Sequence, residues 1–236
     1  MIIPASRLFR LRYTSRNQRL RVKPMDRDLE LLACTPQPIA LQDFNPVCRL
    51  PYECEVKHVY QTMNDFIEFL GFINQQLHGR QIERLETMLM PANFSSIVGE
   101  FMANRIPKYC LSLVRNQYHN GHPDLIPTGQ FAGNAIQYTH EGIEVKASRY
   151  LSGWQGHNPE ATWLMIFIFD GNRPNDAARG FVPRPFRFLQ VLGAQLTVED
   201  WLIAGRSETS RRTNTASVIR SGFEKLNANW IYQAPR

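Results

Sequence analysis

No stretch of this 236-residue chain runs to eighteen apolar residues, so nothing in it reads as a membrane span. The N-terminus is basic but lacks the apolar core of a secretory signal. Its alternating pattern reads as structure rather than as an organelle transit peptide. Cysteine is scarce: Cys34, Cys48, Cys54 and Cys110 form no CxxC pair. Even with His58 added, their spacings fit no common zinc site, and a reduced, cytoplasmic protein is the simple reading. There is no internal repeat, no low-complexity tract and no compositional break to mark a domain boundary. Acid is missing altogether from residues 1–25, where seven basic side chains stand.

What is present suits a folded protein with a polyanionic partner. The chain is 43% hydrophobic, enough for one sizeable core, and carries a net charge of +6. That balance favours nucleic acid, although other basic proteins share it. Near the start, Phe9, Leu11 and Tyr13 alternate with Arg10 and Arg12, and Leu20 and Val22 with Arg19, Arg21 and Lys23. With a turn at 15–18, this predicts a basic β-hairpin over about 1–25. It is either an edge kept soluble by charge or an arm along DNA phosphates.

Four prolines between 33 and 54 predict a connecting loop. From Glu55 to about His78, apolar residues recur at helical spacing and give the strongest helix signal in the chain. Ile82, Leu85, Met88 and Leu89 predict a second helix, stopped by Pro91. A third starts near Asn93 and ends or kinks at Pro107. Residues 162–169 are almost continuously apolar, which suits a strand buried on both faces. Arg184–Leu196, Trp201–Ala204 and Trp230–Tyr232 read as further strands, with a short helix near Ser221–Leu226. The expected fold is α/β: one domain over 1–236, with a central mixed β-sheet flanked by helices.

The chemistry gathers between residues 121 and 148. Pro123-Asp124 is followed, after a spacer, by Gly142-Ile143-Glu144-Val145-Lys146-Ala147-Ser148. Ile143, Val145 and Ala147 alternate with Glu144, Lys146 and Ser148, the mark of a half-buried strand. Glu144 and Lys146 then leave one face, roughly 6–7 Å apart along the strand. Two acids and a lysine suit metal-assisted phosphodiester hydrolysis, which must neutralise the phosphate and activate water. Asp124 and Glu144 are hard oxygen donors for Mg²⁺, and the carbonyl of Val145 lies between the projecting side chains as a further ligand. Lys146 has three candidate roles: orienting water, helping to remove its proton, or stabilising charge on phosphorus. Glu100, on the flank of the third helix, is either solvated or an additional acid of the site. His119-Asn120-Gly121-His122 has the look of a His-metal nuclease but lacks the required helix downstream.

Pro123-Asp124 with Glu144-Val145-Lys146 resembles the signature of the PD-(D/E)xK nuclease superfamily, in particular the type II restriction endonucleases. The acid on the preceding helix, Glu100, and the apolar strand after the motif resemble that family too. The strict match covers five residues; the compatible pattern spans roughly 93–170. The resemblance implies a restriction-endonuclease-like sheet, Mg²⁺ dependence, and a homodimer acting on palindromic double-stranded DNA. Under it, Arg211, Arg212 and Asn214, in a basic region of about 205–236, are candidates for reading base edges, and Arg206 for a phosphate contact. Gln155 and His157 are candidates for touching the cleaved strand. A structure-specific repair, junction or mobile-element nuclease of the same fold, and a non-enzymatic basic nucleic-acid-binding protein, are the competing expectations.

Overall fold

The computed structural model describes residues 24–156, 158–204 and 215–235, with the backbone alone for 24–28 and 204. The expected N-terminal hairpin falls outside these residues. Four helices come first: α1 (Pro24–Ala33), α2 (Val56–Gly79), α3 (Leu85–Met88) and α4 (Pro91–Arg105). Strands β1 (Leu113–Arg115), β2 (Leu125–Pro127), β3 (Ile143–Ser148), β4 (Gln155–Gly156), β5 (Trp163–Asp170), β6 (Arg187–Gln195), β7 (Trp201–Ala204) and β8 (Thr215–Val218) follow. The last elements are α5 (Arg220–Ala228) and β9 (Trp230–Gln233).

The long periodic run became α2, which buries Val59, Met63, Phe66, Ile67 and Leu70 against the sheet. At its start, His58 Nδ1 accepts the Glu55 amide at 3.1 Å, satisfying a backbone donor that the helix leaves free. Cys54, His58 and Cys110 meet here in the core, one ligand atom of each within 4.8 Å of the others; the bond from Cys54 holds the Cys110 thiol below its ordinary range, at about 6, against its own burial.

Proline acted differently from expectation in one place. Pro91 does not stop the second helix; it occupies the first turn of α4, where a missing N–H costs nothing. The second helix is correspondingly a single turn, with Ile82 exposed ahead of it. Pro107 does end α4, in a short 3₁₀ turn at Ile106–Lys108. Helix α1 was not anticipated. It is tied in by Arg84, whose buried guanidinium bonds Glu30, Glu86 and Asn172. A buried arginine is tolerable because its donors find acceptors.

The main sheet has six strands in the order β1-β2-β3-β5-β6-β9. It is mixed: β3 and β5 run parallel, the other pairs antiparallel. Strand β6 starts at Arg187, three residues later than the sequence pattern indicates. Strand β5 is buried on both faces, as its composition predicts. Met165, Phe167 and Phe169 join the core under α2 and α4, while Leu164, Ile166 and Ile168 join a second core. That second core is closed by α5 and a three-stranded sheet of order β4-β8-β7, through Trp154, Trp201, Ala216, Val218 and Leu226. The described chain is thus a mixed α/β structure with the six-stranded sheet between two layers. Among the described residues, no helix is long and apolar enough to cross a membrane.

Candidate active site

Strand β3 carries the alternation that its sequence predicts. Ile143 and Val145 are buried in the core under α4, and Glu144 and Lys146 leave the opposite face. Asp124 reaches them from the residue before β2. β2 and β3 pair at Leu125 and Ile143 and then separate. Into the gap Asp124 places its carboxylate, and Oδ2 accepts the Val145 N–H at 3.0 Å. The N–H and carbonyl of one strand residue leave on the same side, so the Val145 carbonyl also faces Asp124. Gly142 makes this close pairing possible. Its φ is +135°, and a Cβ there would stand 2.1 Å from the Leu125 carbonyl oxygen.

Two further side chains complete the cluster, and neither was in the sequence-derived site. His122 Nδ1 lies 3.1 Å from Glu144 Oε2, with its ring stacked on Tyr138 at 5.4 Å between centroids. Glu160 lies 3.1 Å from Lys146 Nζ, which also bonds Glu144 at 2.9 Å. Glu160 arrives here because parallel strands require a crossover. Residues 149–162 supply it without a helix, and this stretch carries Glu160 onto the face where Glu144 and Lys146 stand. Trp201 Nε1 clasps the Glu160 carbonyl at 3.1 Å, and Gly156 leaves room for its carboxylate: a Cβ there would be 2.7 Å from Oε1.

The segment that holds His122 and Asp124 is fixed by Asn116. Its buried amide donates to Pro123 and Ile136 and accepts from Tyr118 and Ile136. Arg115, next to it, lies 3.7 Å from Asp124 Oδ1 and 2.9 Å from Glu100 Oε2. Glu100 therefore connects to Asp124 through an arginine, and its side chain is 60% exposed. Helix α4, which bears Glu100, packs on the β3 face opposite Glu144 and Lys146, with Gly99 against the Val145–Ala147 backbone. Glu144 converges with His122 and Glu160, the three ligand atoms lying within 4.8 Å of one another.

Three carboxylates in a buried space compete for charge. Burial, and then the charge of Glu144, push the Asp124 carboxyl well above the usual carboxylate range. Glu144 goes the other way. Burial opposes its ionisation, but the His122 bond and the Lys146 and His122 charges outweigh that and hold it low. Burial raises Glu160. Burial alone would lower Lys146, yet Glu144 and Glu160 raise it, so it stays an ammonium. His122 is raised on the same balance: burial lowers it, and the bond that its ring donates to Glu144, with that carboxylate's charge, prevails. Among the described residues, four buried side-chain atoms lack a hydrogen-bond partner: Arg115 Nη1, His122 Nε2 and Glu160 Oε2 in this cluster, and Arg149 Nε outside it. An unsatisfied buried polar atom calls for an explanation, and a bound ion or water is one.

Of the residues assigned to DNA reading, Gln155 is exposed on β4, next to the glycine that touches Glu160. His157, Arg206, Arg211, Arg212 and Asn214 lie outside the described residues. Asp124, Glu144, Val145 and Lys146 are brought together from the motif; Glu100 stands apart. No family model, no curated protein and no solved structure matches this chain.

Proposed function

We propose that this chain is a Mg²⁺-dependent, sequence-specific endonuclease for double-stranded DNA, with a restriction-endonuclease-like fold and the type II, homodimeric mode of action. One observation carries the reading: Asp124, bonded to the Val145 amide, stands beside the Glu144–Lys146 pair on a strand. The donor set fits a hard cation. Asp124, Glu144 and the Val145 carbonyl offer oxygen alone, and the Asp124 carboxyl is raised by burial and then by the charge of Glu144, both of which a cation would offset. Bound there, Mg²⁺ supplies charge neutralisation at the phosphate and a Lewis acid for the attacking oxygen.

The chain's own groups do the rest. Asp124 and Glu144 fix the acidic pole of the site. Lys146, kept protonated by two carboxylates, serves by charge: it orients water and stabilises the negative charge that grows on phosphorus. This favours two of its three candidate roles over proton removal. Arg115, with one buried nitrogen unpartnered, is placed to draw the phosphate in.

Incubation with plasmid and Mg²⁺ tests the reading. Discrete fragments are expected, and Asp124→Asn and Lys146→Ala should cut at below about a thousandth of the wild-type rate while still binding DNA. Full cleavage by either variant removes the assignment. Cutting confined to junctions or flaps points to the structure-specific alternative, and salt-dependent binding without hydrolysis points to a binding protein.

A further inference from the structure

The acidic pole of the site has a second ligand set, distinct from the all-oxygen set of Asp124, Glu144 and the Val145 carbonyl. One imidazole nitrogen of His122 and one oxygen each from Glu144 and Glu160 lie within 4.8 Å of one another. They come from three separate places in the chain: the segment before β2, the strand β3 and the crossover into β5. Their positions are fixed by independent devices, namely stacking on Tyr138, the β3–β5 register, and the Trp201 clasp on Glu160. The cluster is more than a collection of acids. Glu160 is nine-tenths buried, and its Oε2 has no hydrogen bond among the described residues; neither has His122 Nε2. Lys146 Nζ hydrogen-bonds Glu160 Oε1 at 3.5 Å and lies 3.1 Å from Oε2 as an ion pair, so its ammonium charge stands where a cation would.

We infer that His122, Glu144 and Glu160 form a second divalent-cation position, sharing Glu144 with the first and selecting a first-row transition ion of the Mn²⁺ class over Mg²⁺. The selectivity follows from the imidazole. Mg²⁺ takes oxygen ligands and keeps its waters, whereas Mn²⁺ and its neighbours accept a nitrogen and two carboxylates readily. A divalent ion here would take over the carboxylates that Lys146 now holds and free that ammonium to face the scissile phosphate. The catalytic meaning of this position rests on the nuclease reading; its cation binding does not.

Titration of the full-length, metal-free protein with Mn²⁺, followed by electron paramagnetic resonance, tests it. Two bound Mn²⁺ ions per chain are expected, one displaced by excess Mg²⁺ and one retained. His122→Ala and Glu160→Gln should each weaken the retained position at least about tenfold and leave the displaceable one. Asp124→Asn should do the reverse. Thermal melting of each variant establishes that it is folded, and the two substitutions at separate segments guard against one failing to fold. A single class of Mn²⁺ fully displaced by Mg²⁺, or a retained ion indifferent to both His122→Ala and Glu160→Gln, overturns the inference. Mn²⁺ binding as described with no DNA cleavage under either metal would sink the nuclease reading and leave the cation site standing.

Discussion

Asp124→Asn should make the metal-free protein more stable at pH 8, although it removes a charged group from the site. The wild-type carboxyl is buried next to Glu144, and both burial and that neighbour disfavour its ionised form. Its folded pKa therefore exceeds the ordinary 3.8. The native state then holds its proton more tightly than the unfolded chain. Stability from this group is complete below pH 3.8 and is lost as pH rises through the raised value. A tenfold difference in proton affinity between the folded and unfolded chain is worth about 1.4 kcal/mol. Asparagine keeps an oxygen to accept the Val145 N–H, and it forgoes the distant Arg115 contact at 3.7 Å. A net gain of about 1–3 kcal/mol at pH 8 is the expectation. At about 2–4 °C per kcal/mol for a chain of this size, the melting temperature should rise by roughly 2–12 °C. Differential scanning calorimetry in chelator, at pH 8 and at pH 5, measures it. The gain should shrink at pH 5, where the wild-type carboxyl already carries its proton, and it should reverse when Mg²⁺ is added at pH 8. A variant less stable than wild type at pH 8 without metal, or a gain independent of pH, would refute the reasoning.

Three other perturbations address different parts of the structure. Lys146→Met leaves Glu144 and Glu160 facing each other without their shared cation; urea denaturation should show a loss of about 3–5 kcal/mol at pH 8. The loss should be smaller at pH 5, where Glu160, raised by burial, takes up a proton more easily. Gly156→Ala puts a methyl 2.7 Å from Glu160 Oε1. It should displace that carboxylate and weaken Mn²⁺ binding at least about tenfold, while far-ultraviolet circular dichroism stays that of wild type. Gly193→Ala is remote from the site, but its Cβ would stand 2.0 Å from the Trp163 ring. Overpacking of about 1–3 kcal/mol should appear as a lower melting temperature, with metal binding unchanged.

Much of the architecture was legible from spacing alone, because it depends on local periodicity. The α2 stripe, the β3 alternation and the continuous apolar run of β5 each report burial that neighbouring elements then supply. Proline was ambiguous: Pro107 ended a helix and Pro91 began one, since the same missing N–H is harmful inside a helix and harmless at its first turn. Half of the site was legible for a similar reason. Glu144 and Lys146 are two apart on one strand, and Asp124 sits at a Pro-Asp step beside it. His122 and Glu160 were not legible, because neither belongs to a periodic element. Their places depend on where a loop pinned by Asn116 and a crossover without a helix pass relative to the sheet. Two hints were available: His119-Asn120-Gly121-His122, set aside for want of a helix downstream, and Pro159-Glu160 just ahead of the buried strand, a carboxylate at the entrance of β5, whose partner strand bears Glu144 and Lys146.

The clasp from Trp201 to the Glu160 carbonyl has a consequence for how the protein is made. By the time a ribosome has added β5, every acid of the cluster is part of the chain, yet the residue that steadies the last of them is still some thirty positions away. A nascent chain, or one cut short ahead of β7, holds the full complement of reactive groups with its final wall unfastened. The last fastening of the cluster would thus arrive late in synthesis, when Trp201 is added.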